Sequence, residues 1–320
     1  MLKFTYMGRV ISVFLIAIVV VLGVVFLKRD AVPPQSPVPD VYGTSKSSIS
    51  NDWFPKSKNP KNAESLNLSA KSAILVDYDT GNVIYAKNPQ EKLPAASTIK
   101  IMTAVVALEN SNLSDKFTVS TKAATIGENA MGLTQGETLT LEELLYGAML
   151  VSGNDAAVAI SEGISQSEDA FVQKMNQAAG GMGLFDTKFV NASGLDDDGK
   201  VQYTTAFDLV TIARFVWEKH PAFRKIVSTY DRTIDANQNH KAFELYNDTN
   251  LLTTYPGVKG IKPGFTWDAG WCLVTYAENG NKKLLAVILG SEDRRGEMIT
   301  LLDYGFAKFG IKIDHPGLDL

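Results

Sequence analysis

The rhythm of apolar and polar positions changes several times along this chain, and each change predicts a different element. Residues 10–27 are apolar on every face, with Ser12 the sole polar side chain, and Lys3, Arg9, Lys28 and Arg29 flank them. About 18 such residues suffice to cross a bilayer core. The exit, Val25-Phe26-Leu27-Lys28-Arg29-Asp30, has no small residues at cleavage spacing. This predicts a retained signal anchor over residues 1–29 rather than a cleaved signal peptide. Apolar periodicity then stops. Residues 31–39 are proline-rich, and 42–65 are rich in Ser, Lys, Asn and Pro apart from Trp53 and Phe54. Such composition predicts an extended spacer over 30–65.

Patterned sequence resumes near Leu66, and a folded domain is expected over 66–320. Residues 72–78 and 83–86 read as a hairpin around Asp79-Thr80-Gly81-Asn82. Helical spacing dominates from there to about residue 220. An apolar helix begins at Ile101, and Thr140-Leu141-Glu142-Glu143 matches a capping box opening a helix to about Leu150. Residues 157–164, 170–179 and 205–218 also read as helices. Strand signals return at 271–276 and 283–289 on either side of Asn279-Gly280, a hairpin turn. Residues 294–309 read as a closing helix. Strands at both ends with helices between them predict an α+β domain: an antiparallel sheet drawn from both chain ends plus a helical lobe.

Composition narrows the function without naming it. The 320 residues are 45% hydrophobic and 21% charged, with a net charge of −4, and no basic run could track a phosphate backbone. A nucleic-acid partner is therefore not expected. Cys272 is the single cysteine, so no internal disulfide can form. His220, His240 and His315 are scattered without ligand spacing and read as surface or loop residues. No metal or cofactor is implied.

Three short motifs carry chemistry. Ser97-Thr98-Ile99-Lys100 places a hydroxyl and an amine three residues apart at a helix start, on one face. A serine needs a base within hydrogen-bond reach, and a desolvated lysine can serve. Alone, the same four residues describe a serine N-cap followed by a solvated lysine. Ser152-Gly153-Asn154 offers a proton-relaying hydroxyl and a substrate-holding amide on a loop; alone it is a glycine turn with an Asn or Asp cap. Lys262-Pro263-Gly264 offers a cation beside a glycine that permits close backbone approach. That charge could receive a carboxylate and depress a neighbouring lysine; alone it is a surface lysine before a Pro-Gly turn.

Together, in this order and about 55 and 110 residues apart, the motifs resemble those of the active-site serine penicillin-recognising enzymes. The similarity extends to the D-alanyl-D-alanine carboxypeptidases among the low-molecular-mass penicillin-binding proteins. It is carried by Glu128 to Leu133, Leu144-Leu145-Tyr146, Ser152 to Ala157, Phe171 to Asn176, Thr187 to Asn191, Gly194-Leu195-Asp196, Tyr203 to Leu209 and Ala269-Gly270. It covers roughly 66–310. One departure stands out: where the family's K-T-G motif has threonine this chain has Pro263, and Thr266 is the candidate compensating hydroxyl.

The resemblance implies a β-lactamase/DD-peptidase-like fold with the active site between sheet and helical lobe. It implies removal of the terminal D-Ala from peptidoglycan stem pentapeptides through an acyl-enzyme, with β-lactams as covalent inhibitors. Ser97 would be the nucleophile, Lys100 the base and Ser152 the proton relay. Asn154 would orient the substrate amide. Lys262, with Arg294 or its neighbour Arg295, would receive the carboxylate. The backbone N–H groups of Ser97 and Phe265 would form the oxyanion hole, beside Gly264. The domain would then be extracytoplasmic, on a single-pass protein of the cell membrane. Competing readings are a serine β-lactamase, with Glu162 or Glu168 as candidate deacylation bases, a non-catalytic sensor suggested by Pro263, and an endopeptidase acting on cross-links.

Overall fold

The computed structural model describes residues 55, 65–196, 199–249 and 251–315. The predicted anchor and nearly all of the spacer lie outside the described residues. Among the described residues, no helix is long and apolar enough to cross a membrane.

A five-stranded sheet forms the frame, in the order β2 (Val83–Lys87), β1 (Ser72–Asp77), β9 (Lys282–Ser291), β8 (Gly270–Asn279) and β7 (Val258–Thr266). Every neighbouring pair is antiparallel. β1 pairs with β9 from Ser72↔Leu289 to Asp77↔Leu284, so the two chain ends do share one sheet. β1 reads as an unbroken apolar run because it is covered on both faces. Alternation along the strand sends Ile74 and Val76 into one core and Ala73 and Leu75 into the other. The second core is closed by α9 (Arg294–Ala307), through Met298, Leu302 and Phe306. Each large aliphatic side chain so removed from water contributes about 2 kcal/mol.

The first core joins the sheet to the helical lobe. This lobe comprises α1 (Lys100–Asn110), α2 (Thr121–Thr125), α3 (Leu141–Leu150), α4 (Asn154–Ser165), α5 (Glu168–Gly181), α6 (Ala206–Lys219) and α7 (Pro221–Val227). The predicted capping box is present at α3: Thr140 accepts from the Glu143 N–H and the Glu143 carboxylate accepts from the Thr140 N–H. Thr205 caps α6 by accepting from the Asp208 N–H. Two small ribbons were not apparent in the sequence, β3 (Lys116–Thr118) with β4 (Thr138–Thr140), and β5 (Asp231–Ile234) with β6 (Phe243–Tyr246). Asp231-Arg232-Thr233 is exposed throughout, so no apolar alternation announces it. The short α8 (Leu251–Thr254) precedes β7.

Three local expectations change. The β8–β9 turn is displaced by one residue: Asn279 pairs with Lys282, leaving Gly280-Asn281 as the loop, with Gly280 at φ 60°. A glycine in first position suits that two-residue turn, and the Asn279 side chain instead donates to the Pro256 carbonyl at 2.9 Å. Ser97 is not an N-cap, because a 3-10 turn, Ala96–Ile99, precedes α1. His240 is a loop residue but not a surface one; it is buried, with Nε2 2.6 Å from Asn237 Nδ2 and Nδ1 2.7 Å from the Lys241 carbonyl.

Candidate active site

β7 is one edge of the sheet, and the 3-10 turn carrying Ser97 packs against it. The fit depends on glycine. A Cβ on Gly264 would lie 3.0 Å from the Ser97 nitrogen and 3.1 Å from the Thr98 nitrogen. On the other side Gly194, at φ +87°, passes so close to Ala96 that a Cβ would meet its carbonyl oxygen at 2.2 Å. Ala96 and Ser152 both adopt positive φ, 47° and 59°, which is uncommon for residues with a Cβ and clusters at functional sites.

Lys100 is fully buried, and its Nζ lies 2.9 Å from Ser97 Oγ, 2.8 Å from Asn154 Oδ1 and 2.5 Å from the Ser193 carbonyl oxygen. The Asn154 orientation is fixed because its Nδ2 donates to the Gly127 carbonyl at 3.1 Å. This cage is compatible with an amine that acts as a base once it is neutral. Two of its neighbours, an amide oxygen and a peptide oxygen, can only accept. A neutral amine therefore gives its two hydrogens to them and presents its lone pair to the Ser97 hydroxyl. Burial first, and then the Lys262 charge, hold Lys100 well below the ordinary lysine range, against the opposing pull of Asp155 and Asp248.

Lys262 is likewise fully buried, and its Nζ has no hydrogen-bond partner among the described residues. Burial lowers it to about 7; Arg294 acts in the same direction and Asp248 against it. Side chains two apart on a strand share a face, so Lys262 points the way Gly264 does, toward the Ser97 turn. Pro263 keeps β7 in register with β8, opposite Leu273. A proline is compatible with that ladder only if its nitrogen faces the open edge. By the same period of two, the Phe265 N–H also faces out of the ladder, over the cleft.

The cleft above has a volume of about 250 Å³. Ser97, Ser152, Asn154, Gly264, Phe265 and Thr266 line it, together with Pro263 and Arg294. Lys100 and Lys262 lie beneath its floor. Arg294 is at the cleft and Arg295 is not among the lining residues, which separates two neighbours the sequence left equivalent. Thr266 is at the wall, but its hydroxyl donates to Asp196 Oδ1 at 2.9 Å and accepts from the Ala269 N–H at 3.1 Å. It is therefore committed and does not replace the missing K-T-G threonine. Neither Glu162 nor Glu168 lines the cleft; Glu162 pairs with Ser120, and Glu168 with Lys122 and the Ala192 N–H.

Sequence reasoning missed several supporting groups. Asp155 is buried; α4 begins one residue before it, on an N-cap, Gly153, that makes no side-chain cap bond. Its carboxylate instead accepts from the N–H groups of Met131, Gly132 and Leu133 at 2.8, 2.8 and 2.9 Å, and from Ala156 at 2.8 Å. That clamps the 131–133 loop to the Ser152-Gly153-Asn154 turn. The acid next to Asn154 was the only signal for it. Asp248 and Glu128 also line the cleft; Glu128 opens a segment that carries the family resemblance, whereas nothing in its sequence context marks Asp248. Ser193 acts through its carbonyl, which no side-chain motif can reveal.

A profile of the D-alanyl-D-alanine carboxypeptidase family matches residues 58–293. The chain belongs to that family. Within it, the D-alanyl-D-alanine carboxypeptidase DacF of Bacillus subtilis is 38% identical over 257 residues, covering 78% of this chain and 65% of that protein. DacB2 of Mycobacterium tuberculosis is 32% identical over 244 residues, 74% of this chain and 82% of its own. The chain thus spans about two thirds of the Bacillus relative and more of the mycobacterial one. Solved structures give the same fold. The Streptomyces K15 DD-transpeptidase superposes with a TM-score of 0.71 at 30% identity, covering 77% of this chain and all of that one. A D-alanyl-D-alanine carboxypeptidase from Mycobacterium tuberculosis gives 0.72 at 30% identity, covering 78% and 96%. Ser97, Lys100, Ser152 and Asn154, the residues of the first two sequence motifs, all lie at this cleft or directly beneath it.

Proposed function

We propose that this protein is a serine-type D-alanyl-D-alanine carboxypeptidase that removes the terminal D-Ala from peptidoglycan stem pentapeptides and is acylated by β-lactams. The observation that carries the reading is the 2.9 Å approach of a buried, depressed lysine amine to Ser97 Oγ, inside a cage that leaves its lone pair to the hydroxyl. Ser97 Oγ attacks the carbonyl carbon of the penultimate D-Ala while its proton passes to Lys100. The N–H groups of Ser97 and Phe265 stabilise the oxyanion, at about 3 kcal/mol for each donor. Ser152 relays that proton from Lys100 to the leaving nitrogen as the C–N bond breaks, which returns Lys100 to its neutral form. Asn154 orients the acyl-side amide, and Lys262 with Arg294 receives the terminal carboxylate. Water then attacks the ester and frees Ser97. We place the domain outside the cytoplasmic membrane, tethered by the apolar run at 10–27 through the 30–65 spacer.

Mass spectrometry of the intact protein after benzylpenicillin, followed by a D-Ala release assay on a stem pentapeptide, tests the reading. Covalent addition that maps to Ser97 and catalytic D-Ala release are expected. Addition without release would favour the sensor that Pro263 suggests. Rapid turnover of penicillin would favour a β-lactamase, which the positions of Glu162 and Glu168 disfavour. Neither outcome would leave the carboxypeptidase standing.

A further inference from the structure

A row of aromatic rings leads out of the cleft from its carboxylate end. Arg294 lies over the Trp271 ring at 4.5 Å. Trp271 meets Phe265, its cross-strand partner, at 4.3 Å between centroids. Phe265 in turn receives Trp267 edge-on at 5.5 Å. Trp271 and Phe265 line the cleft, whereas Trp267 lies past its mouth, in the β7–β8 turn, and is 91% exposed. An indole so exposed adds little to folding, and a bare aromatic surface continuous with a catalytic cleft is expected to have an occupant. The row has a polarity: it begins at the guanidinium that receives the substrate carboxylate. The residue carrying that carboxylate is the one released. With the carboxylate at Arg294, the α-carbon of that residue comes within reach of the Trp271 and Phe265 rings, and Trp267 lies one ring further out for a side chain longer than methyl.

Resting on the carboxypeptidase reading, we propose that Trp271, Phe265 and Trp267 form a leaving-group subsite for D-amino acids with side chains longer than methyl. The enzyme then releases bulky C-terminal D-residues and not D-Ala alone. Trp267 is the residue to vary, since it touches neither the reacting atoms nor the buried core. The test uses the full chain and three acylated tripeptides, L-Lys-D-Ala-D-Xaa, with Xaa being Ala, Leu or Phe. The wild type is expected to release D-Leu and D-Phe with kcat/KM within about ten-fold of D-Ala. In Trp267→Ala the ratios of D-Leu and D-Phe to D-Ala should fall about five-fold, the range of a lost aromatic contact, with D-Ala release within two-fold of wild type. Unchanged ratios in the variant, or a wild type strict for D-Ala, would overturn the subsite and leave the carboxypeptidase intact. A wild type that releases no D-Ala would overturn the functional reading and the subsite with it.

Discussion

Replacing Lys262 by methionine should make the protein more stable and less active. The amine is fully buried, lacks a hydrogen-bond partner among the described residues, and titrates near 7 instead of 10.5. Below pH 7 the lysine is charged whether the chain is folded or not, so the whole cost of burying the charge weighs on the native state. That cost is about 5 kcal/mol as an upper bound, at 1.36 kcal/mol per pKa unit. Between pH 7 and 10.5 the unfolded chain holds the extra proton, so wild-type stability rises with pH and the handicap shrinks. Above 10.5 it is gone. Methionine has similar volume and no charge to desolvate. At about 2–4 °C per kcal/mol for a domain of this size, recovering about half of that bound should make Lys262→Met melt about 5–10 °C above wild type at pH 7, with a gap that closes toward pH 10.5. For peptides with a free carboxylate, kcat/KM should fall on the order of 100-fold, as expected when a charged hydrogen bond is lost. Scanning calorimetry from pH 6 to 10 reads the first effect and D-Ala release the second. A variant that melts below wild type at pH 7, or a gap that does not narrow as the pH rises, would refute the reasoning.

Further predictions follow from the same geometry. In the wild type, kcat/KM should fall on the acid side as Lys100 protonates and on the alkaline side as Lys262 loses its charge near 7, whereas kcat keeps the acid limb alone, since bound carboxylate holds the Lys262 proton; a full pH–rate profile checks this, and the alkaline limb near 7 should vanish in Lys262→Met. Gly264→Ala puts a methyl 3.0 Å from the Ser97 nitrogen and should slow acylation by a fluorescent penicillin at least ten-fold, with a stability loss of about 1–3 kcal/mol from overpacking. Asp155→Ala leaves the N–H groups of Met131, Gly132 and Leu133 without their acceptor and should cost about 3–5 kcal/mol. Faster amide hydrogen exchange confined to the 131–133 loop and α4 would identify the lost clamp as the cause.

What the sequence disclosed follows from how local each signal is. The capping box at Thr140 and the apolar face of α6 are written within one turn or one helix, and they appear where expected. The β1–β9 pairing was legible as strands at opposite chain ends. Ser97 and Lys100 lie three residues apart, so one helical turn brings them together. What remained hidden depends on distant backbone. The Ser193 carbonyl that holds Lys100 comes from a loop far along the chain and carries no side-chain signature. Asp155 has the appearance of a cap, and only the fold shows the loop it serves. Thr266 seemed a free hydroxyl until Asp196 arrived from another segment to take it.

The pairing of the first strand with the last also sets when the cleft can be completed. β1 needs β9 beside it, and β8 and β7 extend the sheet from β9, so the wall opposite Ser97 depends on strands synthesised at the far end of the domain. Such distant pairings form slowly and late. A partial translation product already contains the serine and its lysine but not the surroundings that strip the lysine of its proton. A chain that stops before β7 lacks the strand facing Ser97 and is expected to leave that serine unacylated by penicillin.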